Sequence, residues 1–120
     1  MRVIECEAIT ELVAKLCLEA NLYVGDDITA ALRQALETEA SPVGRECLQG
    51  LLDNAQLAKV ENMPICQDTG MAVVFLEYGQ EITVQGGDLL VAINEGVRRA
   101  YQEGFLRKSV VNDPFERTNT

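Results

Sequence analysis

Pro64 divides the sequence into two parts with different hydrophobic periods, and that division limits the fold more than any other feature. Before it, apolar residues recur at helical spacing. Ile9, Leu12, Val13, Leu16, Cys17 and Ala20 predict a first helix ending near Asn21, with Gly25 in the loop beyond. Asp26 or Asp27 is placed to cap a second helix whose stripe is Ile28, Ala31, Leu32, Ala35 and Leu36. Ser41 followed by Pro42 signals a third start: a capping hydroxyl, then a residue whose fixed φ suits the first helical position. That helix runs through Leu48, Leu51, Leu52, Ala55 and Ala58. It cannot continue past Pro64, which lacks an N–H and clashes with the preceding turn.

Beyond the pentad "CQDTG" (66–70) the period changes. "MAVVFLEY" (71–78) is apolar at successive positions and predicts a strand covered on both faces, with "EITV" (81–84) as a short second strand. Gly86-Gly87 predicts a turn, and a fourth helix follows from about Asp88, with Leu89, Leu90, Ile93, Val97, Ala100 and Tyr101 on or near its buried face and Gly104 ending or fraying it. "SVV" (109–111) predicts a last short strand, limited by Pro114. The order implies an α+β fold: N-terminal helices followed by a small β-sheet with a further packed helix. At 120 residues a single domain, 1–120, is expected, helical over about 1–62 and mixed β/α over about 63–120, where the motifs lie.

Composition narrows the function classes. A hydrophobic fraction of 48% with 24% charged residues is too apolar for general disorder. The longest apolar run, 71–76, is too short to span a bilayer, and the N-terminus has no signal-peptide h-region, so a cytoplasmic protein without membrane association is expected. The net charge of −9 disfavours nucleic acid; residues 1–87 hold 14 acids against 5 bases, whereas 88–120 hold 5 of each. A small anion would therefore look to Arg98, Arg99, Arg107 or Lys108. Spacing assigns Arg98 and Arg99 to ion pairs with Glu95 and Glu103 along their helix, and Lys108 to a surface salt bridge.

The cysteines at 6, 17, 47 and 66 form no C-x-x-C pair, and the chain has no histidine, which disfavours a zinc site. Cys17 lies on an apolar stripe and reads as a core residue, as does Cys47; Cys6 is uninformative. Cys66 differs, standing in a loop beside Gln67, Asp68, Thr69 and Gly70. Asp68 and Thr69 equally suit Asx- and ST-turns. As a nucleophile Cys66 lacks a histidine base, and as a redox thiol it lacks a resolving partner. As an iron–sulfur ligand it needs further thiolates. The residues alone leave these roles open.

"DNAQLAKVENMPICQDTGMAVVFLEYG" and "INEGVRRAYQEGFLRKSVVNDPFERTNT" together resemble the N-terminal part of class I iron–sulfur fumarate hydratases and of the L(+)-tartrate dehydratase alpha subunit. The likeness spans residues 4 to 120, with "CQDTG", "LR-x-S" and "DP-x-x-R-x-NT" in the expected order. It implies a hydro-lyase that adds or eliminates water at a C4 dicarboxylate, converting fumarate to malate or tartrate to oxaloacetate. In that family a [4Fe–4S] cluster held by three cysteines leaves one iron open as a Lewis acid. The resemblance assigns Cys66 as one cluster ligand, Gln67 and Asp68 as contacts of the bound dicarboxylate, Asp68 also as a candidate for proton transfer, and Arg107 as the partner of a substrate carboxylate. These assignments make chemical sense. Thiolate is the soft ligand that iron–sulfur clusters need, and an amide and a guanidinium both donate to carboxylate. A carboxyl beside a dianion is harder to ionise, which suits proton transfer.

The family's other two cluster cysteines lie beyond this region, and Cys6, Cys17 and Cys47 do not match them. The resemblance therefore implies a fragment or separately expressed region, inactive alone, that needs further cysteines outside the chain, a beta subunit or fused C-terminal domain, and an oligomeric setting. The alternative is a non-catalytic interaction domain docking onto a partner subunit, with "CQDTG" kept only as structure.

Overall fold

The structure, a computed structural model, describes residues 1–68 and 70–119. In chain order its elements are β1 (Arg2–Glu5), α1 (Cys6–Leu22), α2 (Asp26–Thr38), α3 (Pro42–Glu61), β2 (Ile82–Gln85) and α4 (Leu89–Glu103). This is the expected α+β class, with N-terminal helices, a small sheet and a later packed helix. The chain divides into two compact units, one of Met1–Glu19 with Asp68–Thr120 and the other of Ala20–Gln67.

In the Ala20–Gln67 unit, α2 packs on α3. The residue capping α2 is Gly25, with no side-chain cap bond, rather than Asp26 or Asp27. Those two carboxylates sit inside the first turn, where they meet the positive end of the helix dipole. Arg45 Nη1 donates to the Leu36 carbonyl at 2.8 Å and to that of Glu39 at 3.3 Å, satisfying acceptors at the end of α2. α3 starts as predicted, with Ser41 Oγ accepting from Gly44 N at 3.3 Å and Pro42 in the first turn. It ends at Asn62 in the left-handed conformation, φ 51°. Cys47 is exposed on α3, not in the core as its sequence setting suggested.

In the other unit β1 pairs with β2 in parallel, from Arg2 opposite Ile82 to Glu5 opposite Gln85. The expected strand over 71–78 is absent among the described residues. That segment joins no ladder, and Val73 and Phe75 are 67% and 93% exposed. Its place beside β2 is taken by residues 2–5, a run too short to show a period of its own. "SVV" contributes only an isolated antiparallel bridge between Val111 and Asn119.

Each strand of the pair leads into a helix, and the two helices lie against each other. Contacts along them rise together. A Cβ on Gly87 would sit 3.5 Å from Cys6 Sγ, one on Gly96 would meet Thr10 O and Val13 Cβ at 2.7 Å, and one on Gly104 would meet Leu18. α1 and α4 therefore run in the same direction. Ala92, Gly96 and Ala100, spaced four apart, form the close face, and Thr10 Oγ1 donates to the Ala92 carbonyl at 2.9 Å in the buried centre. Cys6, Val13, Ala92, Ala100 and Leu106 complete this core. Cys17, also on α1, is half-buried.

An ion network spans the same helix pair. Glu95 accepts from Arg98 at 2.6 Å and from Arg99 at 3.0 Å, and Arg99 reaches across to Glu7 at 2.6 Å. Glu95 was expected as a partner; Glu7, on another element, could not be found from helical spacing. Hydrogen bonds from Arg98 and then Arg99 lower Glu95 to about 2 from its ordinary 4.5. Among the described residues no helix is long and apolar enough to cross a membrane.

Gly96→Ala puts a methyl into backbone and Val13, so it should lower the unfolding free energy by about 1–3 kcal/mol, read by urea denaturation. The network contributes stability fully present above pH 4.5 and lost as pH falls toward about 2, because the depressed Glu95 must then accept a proton. The difference in urea midpoint between the native chain and Arg99→Gln should accordingly shrink over that window.

Candidate functional site

The "CQDTG" loop begins from a fixed point. Within the Ala20–Gln67 unit, Ile65 N donates to the Asn21 carbonyl at 2.8 Å, and Asn54 Nδ2 donates to the Ile65 carbonyl at 2.6 Å. Both backbone groups of the residue before Cys66 are therefore satisfied, one by the last turn of α1 and one by a side chain of α3. Met63 N donates to Ala58 O at 3.0 Å and closes the end of α3. Asn54 does not stand out in the sequence, because a side-chain amide that bonds a distant carbonyl leaves no periodic trace, while Asn21 takes part through its main-chain carbonyl, which any residue would offer.

Cys66 and Gln67 follow, both exposed, and close this unit. Asp68 and Arg107, also exposed, belong to the other unit, so the unit boundary runs through the motif itself. Asp68 Oδ1 accepts from Gly70 N at 3.1 Å, the Asx-turn that the sequence allowed. Gly70 has φ +60°, and a Cβ there would meet nothing within 4 Å, so backbone conformation rather than crowding calls for glycine. Thr69 lies outside the described residues.

Arg107 comes off the end of α4. Gly104 N donates to Ala100 O, Phe105 adopts φ 54°, and Leu106 N donates to Tyr101 O at 3.1 Å. Leu106 is 4% exposed, which anchors the chain immediately before the arginine. After it, Lys108 enters no ion pair among the described residues, contrary to its expected salt bridge; its carbonyl instead accepts from Asn119 Nδ2 at 3.0 Å. An open groove of about 940 Å³ lies beside this arm. It is lined by Gly70, Met71 and Val74, by Leu90, Ile93 and Val97 of α4, and by Lys108, Ser109 and Asn119. A second groove of about 920 Å³, between α2 and α3, holds none of the predicted site residues.

Set against a cluster bound by three thiolates, the donor set fits one corner only. Cys66 is exposed in a loop. Cys6 is buried, and burial pushes the Cys17 thiol up, away from the thiolate that binds metal. Cys47 lies on α3 outside the motif. Among the described residues no three Cys, His, Asp or Glu side chains gather into a metal-binding group. The chain's own donors do not fit the whole cluster.

Exposure predicts the order of thiol labelling. Cys66 and Cys47 should react with a maleimide at least about ten-fold faster than Cys17, and Cys6 only on unfolding. Asn54→Ala should cost about 1 kcal/mol of stability and speed labelling at Cys66, read by mass spectrometry of the labelled peptide.

The sequence profile of the fumarate hydratase (Fumerase) family matches residues 10–120, a span holding both motifs. A protein of Methanocaldococcus jannaschii named "Putative L(+)-tartrate dehydratase subunit alpha" is 35% identical over 112 residues, 92% of this chain and 39% of that protein. The L(+)-tartrate dehydratase subunit alpha of Escherichia coli K12 is 30% identical over 112 residues, 93% of this chain and 36% of its own length. That of Shigella sonnei gives the same figures, 30% over 112 residues. The chain thus spans less than two-fifths of the length of these relatives.

Proposed function

Because the chain belongs to the fumarate hydratase (Fumerase) family, we propose that it is the N-terminal, substrate-facing part of a hydro-lyase acting on a C4 dicarboxylate. The observation that carries this reading is the profile match over residues 10–120, a span that includes "CQDTG" and "DPFERTN". Elimination breaks a C–H bond, whose electron pair forms the double bond, while hydroxide leaves the neighbouring carbon and takes up a proton as water. In this chain Gln67 donates an amide N–H to one substrate carboxylate, and Arg107 pairs with a carboxylate through two parallel bonds. Asp68 takes or returns a proton, and the Asx-turn at its Oδ1 fixes the carboxyl for that work.

Cys66 is proposed as one ligand of a [4Fe–4S] cluster whose remaining thiolates come from outside residues 1–120. An oxygen-sensitive cluster of that kind suits a reducing, cytoplasmic setting. The alpha-subunit names of the relatives suggest a beta subunit or fused equivalent as partner, in an oligomer, and activity only in that assembly. Residues 1–120 are then one structural part of it, helical over about 1–62 and mixed β/α over about 63–120. The exposed apolar side chains of Phe75, Phe105 and Phe115, each at least 90% exposed, favour a docking role beside the catalytic one.

Anaerobic fumarate hydration and L(+)-tartrate dehydration by the assembled, cluster-loaded enzyme test the proposal. Turnover of one acid should vanish in Cys66→Ser and fall by about 10²-fold or more in Asp68→Asn. Full activity in Cys66→Ser, or no loss in Asp68→Asn, contradicts the respective assignment.

A further inference from the structure

The second motif, "NDPFERTN" (112–119), has no part in the chemistry just described, yet it is tied closely to the segment that carries Arg107. Asn112 N donates to Thr118 O at 2.8 Å, and Arg117 N donates to Asp113 O at 2.8 Å. Asp113 Oδ1 accepts from Phe115 N at 2.7 Å and Glu116 N at 3.1 Å, and Arg117 turns the chain back at φ 57°. The result is a closed loop whose end, Asn119, lies antiparallel to Val111. Asn119 does more than close it. Its amide Nδ2 donates to two carbonyls, Lys108 O at 3.0 Å and Val110 O at 3.1 Å.

Those acceptors stand one and three residues after Arg107. The residue before Arg107, Leu106, is fixed by burial and by its bond to Tyr101. The arginine is thus clamped on both sides, by the core before it and by one side-chain amide after it. We infer that Asn119 is a positioning residue for Arg107, holding residues 108–110 so that the guanidinium meets the substrate carboxylate without first having to be ordered. The inference rests on the reading of Arg107 as a carboxylate partner. A side-chain amide meets the requirement without adding charge: the two backbone carbonyls take the two N–H donors of one atom. Aspartate offers none and adds negative charge facing both oxygens.

A bidentate pair depends on orientation, so loosening its backbone weakens substrate binding rather than the later proton transfer. In the assembled enzyme, Asn119→Ala and Asn119→Asp should raise KM by about ten-fold, with kcat within about two-fold and Asp the worse. In an Arg107→Ala background the Asn119 substitutions should add nothing, since the residue acts through the arginine. Thermal unfolding of each variant checks that the fold persists. A fall in kcat at unchanged KM, or an Asn119 effect that adds fully to that of Arg107→Ala, overturns the positioning role while leaving Arg107 in place. An unchanged KM in Arg107→Ala alone overturns the underlying assignment instead.

Discussion

The approach of α1 to α4 at Gly96 is the constraint on which the unit carrying Asp68 and Arg107 depends. Two helices come close enough there for the Gly96 backbone to lie against Thr10 O and Val13, and Thr10 bonds the Ala92 carbonyl across the same seam. A helix face of Ala92, Gly96 and Ala100 has little side-chain area to bury, so shape and one buried hydrogen bond stand in for a large apolar payload. This suits a unit in which no large side chain among the described residues is fully buried. The parallel pairing of β1 with β2 sets where both helices begin, and Glu7, Arg99 and Glu95 link them at the surface.

From that seam the path to the candidate site is short. α4 ends at Gly104, one left-handed residue redirects the chain, and Leu106 drops into the core beside the helix pair. Arg107 follows immediately, and Asn119 holds what comes next. On the other side of the unit boundary, α1 and α3 hold Ile65 so that Cys66 and Gln67 emerge from an anchored backbone. The candidate site residues therefore sit on loops whose flanks are bound to helices without being buried themselves.

How much of this is legible in the sequence depends on the range of the interaction concerned. Ser41-Pro42, Asp88 and Gly104 state their helix ends within a few residues, and the structure places caps at all three. Residues 71–78 mislead because an apolar β-rich run announces a strand but not whether a neighbour exists to pair with it. β1 is missed for the converse reason, since Arg2–Glu5 becomes a strand only through a partner some 80 positions later. The misplacement of Cys47 is of the same kind, because a helical stripe does not say which part of its face a partner covers. At the candidate site the residue types and their order are visible, while the parts of Asn54 and Asn119 are not, since each side-chain amide reaches a carbonyl distant in the sequence.

The proposed function requires the "CQDTG" loop to join cluster binding to dicarboxylate binding. Electron paramagnetic resonance of the assembled enzyme, reconstituted and reduced without oxygen, tests it most directly. A reduced [4Fe–4S] signal should shift when a C4 dicarboxylate is added and disappear in Cys66→Ser. A cluster signal that survives intact in Cys66→Ser and ignores the dicarboxylate would contradict it.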